Sequence, residues 1–132
     1  MDKFGLDIGL KASIDMKVSG KDTAQAVGSG GIDVFSTPTM IALMEKAALS
    51  AVEPHLPAGY ATVGTMVNIK HIAATPVEME VNAVAELIAV DDKKLTFKIE
   101  AYDSMEKIGE GLHERYIVNT EKFRDKVYSK GK

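Results

Sequence analysis

Apolar and polar residues alternate with a period of two across residues 10–19. Leu10, Ala12, Ile14, Met16 and Val18 take one side, and Lys11, Ser13, Asp15, Lys17 and Ser19 the other. This predicts a half-buried antiparallel strand, which Ser19-Gly20-Lys21-Asp22 then interrupts. Gly28-Ser29-Gly30-Gly31 reads as a flexible approach to the next element. It lacks the following Gly-Lys-Ser/Thr and the preceding buried strand that a phosphate-cradling loop requires. Ser36-Thr37-Pro38 is the clearest helix start, with Ser36 or Thr37 as cap and proline in the first turn. From Pro38 to about Val52, apolar residues occupy nearly every face, so the helix is expected to be largely buried. Pro54 and Pro57-Ala58-Gly59 end it.

The remainder alternates again. Residues 62–72 place Val63, Thr65, Val67, Ile69 and His71 on one face, and Gly64, Met66, Asn68, Lys70 and Ile72 on the other. Residues 77–88 form a second strand, Asp91-Asp92-Lys93-Lys94 a hairpin turn, residues 95–101 a third strand and residues 107–119 a last one. Residues 120–132 are a charged tail compatible with a short helix, anchored by Phe123 and Val127. One strand, a buried helix and four sequential antiparallel strands pack most economically as a single sheet wrapped around the helix. The expectation is an α+β hotdog fold in one domain, residues 1–132. A free sheet edge invites pairing with a second copy, hence a homodimer.

Composition narrows the chemistry. The chain has 132 residues, 45% hydrophobic and 27% charged, and a net charge of −3, so nothing draws it to nucleic acid or an anionic membrane. No segment approaches a membrane span, and the N-terminal Met1-Asp2-Lys3-Phe4-Gly5-Leu6-Asp7 is not a signal peptide. Zero cysteines exclude disulfides, thiolate metal sites and a cysteine nucleophile, and fit a reducing cytoplasm. With no local ligand spacing such as His-x-x-x-His, metal binding is not expected.

Glu45 lies within the apolar helix, where a carboxylate must pair, protonate or face a cleft, unless it emerges at the helix edge beside Lys46. His71 shares the parity of Val67 and Ile69, which suits a satisfied core histidine as well as a catalyst. His55, in a Pro-rich turn, and His113, among charges in the last strand, are weaker candidates. Thr37 suffices as a helix cap, and it stands eight residues from Glu45, about 12 Å along the axis. Substrate, water or a second chain must therefore join them if they serve one reaction. Glu45 and His71 could act as general base and orienting partner, or Glu45 as a nucleophile, with N–H groups at the helix start binding an oxyanion.

At Val34-Phe35-Ser36-Thr37-Pro38-Thr39-Met40-Ile41-Ala42-Leu43-Met44-Glu45 and Gly64-Thr65-Met66-Val67-Asn68-Ile69-Lys70-His71, the chain closely resembles the fluoroacetyl-CoA thioesterase-like family of hotdog proteins. The resemblance extends over about residues 10–119. It implies hydrolysis of a short acyl-CoA by Thr37, Glu45 and His71, with CoA entering as substrate and no further cofactor. It also implies Gly64 against the thioester carbonyl, Arg115 on a substrate or product carboxylate, and active sites at a dimer interface. The fluoroacetyl-specific member of that family covers its site with an aromatic lid. Here Ala26-Val27-Gly28-Ser29-Gly30-Gly31-Ile32 carries no aromatic residue, which points to a broader acyl group. Two other readings stand beside hydrolysis: hydration or dehydration of an acyl thioester, and a non-catalytic module that binds CoA esters.

Overall fold

The computed structural model describes residues 4–131. Met1, Asp2 and Lys3 of the N-terminal segment, and Lys132 of the tail, lie outside the described residues. The first strand, β1 (Lys11–Lys17), follows the expected alternation, with Ala12, Ile14 and Met16 turned toward the core. A single 3-10 turn, Gly20–Asp22, leads to a one-turn helix α1 (Ala24–Val27), which the periodicity does not show. Its signals are local. Thr23 caps it by accepting the Ala26 N–H at 3.1 Å, and Gly28 closes it at φ +81°, a left-handed conformation glycine takes without strain.

The long helix α2 (Thr37–Val52) is followed by β2 (Tyr60–His71), β3 (Glu80–Asp91), β4 (Lys94–Asp103), β5 (Lys107–Asn119) and a C-terminal helix α3 (Thr120–Ser129). The five strands form one antiparallel sheet in the order β1-β3-β4-β5-β2, so β1 and β2 are its edges. The sheet curves around α2 in the α+β hotdog arrangement, and the helix packs chiefly on β1 and β3. Inward residues Ala83, Ala85, Leu87, Leu95, Phe97, Ile99 and Ile117 meet Met40, Met44, Ala47 and Ala48 of the helix. Burial of each large side chain contributes about 1.5–3 kcal/mol. The alanines let the helix axis approach the sheet closely.

Three expectations need correction. First, α2 is not buried all round. Met40, Leu43, Met44, Ala47, Ala48, Ala51 and Val52 form one buried stripe, while Ile41, Ala42, Glu45 and Leu49 are partly or fully open to solvent. The sheet covers only one side, because α2 lies toward β1 and β3 and leaves the middle of the concave side of β2, at Val67, open. Second, the β3 strand begins at Glu80 rather than Val77, because Glu78 adopts φ +81° and breaks the extended run. Third, Phe123 and Val127 do not anchor the tail, since both are largely exposed on α3 and no residue of that helix is buried.

A fourth correction matters for the site. Gly64 pairs with Arg115 and Met66 with Glu114, so Thr65 is an extra residue in β2. This β-bulge reverses the side-chain parity of the strand. Val67, Ile69 and His71 keep the concave face, but Val63, opposite Tyr116, falls on the convex one. Gly64 joins the concave face opposite Arg115, on the same side as His71.

Candidate active site

Local bonds fix the start of α2. The Phe35 N–H donates to the Thr75 carbonyl and the Ser36 N–H to the Asp22 carbonyl, each at 2.9 Å. Asp22 is itself held by accepting the Ser19 N–H at 2.9 Å and the Ser19 hydroxyl at 2.8 Å. Ser36 is the cap: its Oγ accepts the Thr39 N–H at 3.1 Å and donates to Thr39 Oγ1 at 2.6 Å. Thr37 is thereby released from the capping role and turns its hydroxyl to His71, with Oγ1 2.7 Å from Nδ1. Pro38 has no N–H, and the N–H groups of Thr39 and Met40 bond Ser36, so the helix start offers an oxyanion less than its four nominal donors.

His71 closes β2 with its ring edge-on to Phe35, centroids 6.5 Å apart. Its buried Nε2 has no hydrogen bond of good geometry. A neutral imidazole can accept the Thr37 hydroxyl proton at Nδ1, leaving the ring hydrogen on Nε2. The pair opens on a cavity of about 360 Å³ lined by Ala24, Val34, Phe35, Ile72 and Ala73. Ser29 at its rim comes from the glycine segment.

A second polar group lies farther along α2. Arg115, only 7% exposed, donates from Nε to Thr62 Oγ1 at 2.8 Å, from Nη2 to the Thr62 carbonyl at 3.0 Å and from Nη1 to His113 Nε2 at 3.2 Å. Nη1 also stands 3.9 Å from Glu45 Oε2. The Glu45 side chain is 40% exposed, so it is neither sunk in the core nor solvated beside Lys46; it looks across to β5. Gly64 makes room for it, since a Cβ there would stand 2.6 Å from Glu45 Oε2. The hydrogen bonds of Arg115 thus run into the protein, and the glycine borders the carboxylate.

Within one chain, then, His71 is joined to Thr37, while Glu45 is joined to Arg115 and bordered by Gly64. The two groups lie about two helical turns apart along α2. Glu45 and His71 do not form a base and orienting pair in a single chain. His55 is exposed in the turn after α2. Among the described residues, no three His, Cys, Asp or Glu side chains gather as metal ligands. The periodicity passed over His113, which is fully buried, and Thr62. The available signal was parity: His113 and Arg115 are two residues apart in one strand and face the same way.

Burial is the largest influence on both inward histidines and holds each below the ordinary 6.5. A backbone bond to Ala73 opposes it at His71; at His113 the Met66 carbonyl opposes it and the Arg115 charge reinforces it. Between 6.5 and the native values, the unfolded chain binds more protons than the folded one. Stability is therefore full above about pH 6.5 and declines as pH falls through that window. Thermal melts between about pH 7.5 and about pH 5.5 should show Tm dropping on the acid side. The drop should be smaller in His113→Gln, which removes one of the two titrating rings.

Residues 18–121 match the family model described as fluoroacetyl-CoA-specific thioesterase. A fluoroacetyl-CoA thioesterase of Streptantibioticus cattleyicolor is 40% identical over 98 residues, 74% of this chain and 70% of that protein. A solved structure of a fluoroacetyl-CoA thioesterase superposes with a TM-score of 0.89 at 33% identity, covering 96% of this chain and 98% of that one. A Thermus thermophilus protein of the thioesterase superfamily superposes at 0.87 with 25% identity, covering 93% and 91%. With its hotdog sheet and these matches over most of its length, the chain belongs to the fluoroacetyl-CoA thioesterase family.

Proposed function

We propose that this chain hydrolyses the thioester of a small acyl-CoA to the carboxylic acid and free CoA. As a member of its family it is a thioester hydrolase. The observation that carries the reading is the Thr37–His71 pair, 2.7 Å apart at the mouth of a cavity of about 360 Å³. Thr37 positions and polarises the thioester carbonyl, with neutral His71 as its hydrogen-bond partner. The solvent-accessible carboxylate of Glu45, steadied by Arg115, takes a proton from the attacking water. Collapse of the tetrahedral intermediate expels the CoA thiolate, which is then protonated. Water supplies the only other reactant, and CoA enters as part of the substrate.

The site is completed in a homodimer, the Thr37–His71 pair of one chain facing Glu45 of the other. Two features support this: the open side of α2, carrying Ile41, Glu45 and Leu49, and the open middle of the concave side of β2, where Val67 is 45% exposed. A second copy buries both. The acyl group is broader than fluoroacetyl, since α1 and the Gly28–Gly31 segment bring no aromatic side chain over the cavity. The chain acts as one hotdog domain, and zero cysteines suit work in a reducing cytoplasm. Among the described residues, no helix is long and apolar enough to cross a membrane.

Turnover of a panel of short acyl-CoA esters, fluoroacetyl-CoA included, followed with a thiol-detecting reagent, tests this. Thiol release is expected with several small acyl groups; saturable binding without release from any of them would refute hydrolysis.

A further inference from the structure

His113 holds a position that the proposed reaction does not yet use. It is fully buried in β5, two residues before Arg115, and each of its ring nitrogens has a polar, directional partner. Nδ1 lies 2.8 Å from the Met66 carbonyl oxygen, and Nε2 lies 3.2 Å from Arg115 Nη1. A carbonyl can only accept and a guanidinium can only donate. Both partners therefore demand the same form of the ring: neutral, with its hydrogen on Nδ1 and a lone pair on Nε2. Burial disfavours the imidazolium in the same sense.

The surroundings show what this form accomplishes. His113 Cε1 would be 3.3 Å and Arg115 Nη1 3.4 Å from a Cβ at Gly64, the point at which Glu45 Oε2 also converges. Charged groups acting on the ring are Arg115 beside it in β5, Glu45 from α2 and Glu114 in β5. β4 presents the Phe97 ring, its centroid 6.1 Å from the imidazole. The Met66 carbonyl belongs to the bulge that reverses the β2 parity, so the histidine ties that bulge to the guanidinium. Thr62 holds Arg115 through Nε and Nη2, and without His113 the remaining Nη1 edge has no fixed partner other than the longer approach to Glu45.

We propose that His113 is a positioning residue for thioester hydrolysis: as a neutral Nδ1–H imidazole it accepts from Arg115 Nη1 and so sets the guanidinium against the Glu45 carboxylate. It touches neither substrate nor water; its effect passes through Arg115. This rests on the reading of Glu45 as the base.

Two substitutions separate its halves. His113→Gln retains an acceptor near the Nε2 position, and His113→Asn retains a donor near the Nδ1 position but leaves Arg115 without its acceptor. Removing a hydrogen bond to a charged group predicts about a tenfold loss in kcat for Asn with KM within about twofold, and recovery to within about threefold for Gln. Unchanged kcat in Asn, or equal losses in both variants, would overturn the proposal. Nitrogen NMR of the wild-type protein decides it independently of activity. His113 should show protonated Nδ1 and unprotonated Nε2 near neutral pH, and Arg115 should show distinct, slowly exchanging Nη–H signals that merge in the Asn variant. An imidazolium, the Nε2–H tautomer, or Arg115 signals unaltered by Asn would refute it even if that variant folds poorly. If Glu45→Gln retains full turnover, the base reading falls, while the NMR arms still decide whether His113 holds Arg115.

Discussion

Glu45→Gln is expected to lower kcat for acyl-CoA hydrolysis by about 10²- to 10⁴-fold, the range for losing a proton-transfer group, and His71→Ala by about 10²- to 10³-fold, because Thr37 loses the partner that orients its hydroxyl on the carbonyl. The fold should persist in both. Glu45 is half-exposed on α2, and glutamine keeps its shape; His71 is at the end of β2, where its only side-chain hydrogen bond of good geometry is to Thr37. Mixing the two inactive proteins is the sharper measurement. If each site takes Thr37 and His71 from one chain and Glu45 from the other, a mixed dimer contains one site with every group intact and one lacking both. Refolded or exchanged mixtures should then recover about half of wild-type activity per mixed dimer. Complementation absent from a mixture shown to contain mixed dimers would mean that each site is built within one chain.

Gly111→Ala should cost about 3 kcal/mol of stability or more, among the largest effects of any single methyl in this protein. A Cβ at Gly111 would run into the Asn68 carbonyl oxygen and stand 2.9 Å from Ile69 Cα, and both obstacles are backbone of the neighbouring β2. Neither can move without separating β2 from β5, the pairing that carries Gly64, His71, His113 and Arg115. Gly109→Ala makes a useful contrast. Its Cβ would press on Met40 Sδ and Cε at 2.7 Å, the flexible end of a side chain that can yield, although the Lys70 carbonyl oxygen stands 3.2 Å away. Gly31→Ala meets nothing within 4 Å and should stay within about 0.5 kcal/mol. Urea midpoints of the three variants should rank in that order, and equal midpoints for Gly111→Ala and Gly31→Ala would contradict the crowding described.

The contrast between β1 and β2 shows what alternation can convey. Residues 10–19 alternate without interruption and form β1 over Lys11–Lys17 in unbroken register with β3, because a strand with regular pleat and one buried face writes its geometry directly into a period of two. In β2 the same rule misplaced Val63 and Gly64, because one extra residue at Thr65 reverses the parity and no local pattern marks it. The bulge is specified by the partner strand. His113 shows the same limit: the charged Glu114 and Arg115 follow it in sequence, yet it is buried against Met66 and Phe97, which neighbouring strands bring to it from far along the chain.

By itself the sequence determined the order of the main elements, the start of α2 at Ser36-Thr37-Pro38, and Thr37, Glu45 and His71 as candidates, since capping and period are local properties. Only the tertiary structure decided which candidates meet. It gave the cap to Ser36, paired Thr37 with His71, and placed Glu45 beside Arg115, with Gly64 leaving the space it occupies. The physical reason is that α2 runs as one continuous helix from Thr37 to Val52: about 12 Å of it separates Thr37 from Glu45, and the sheet must bring a different partner to each.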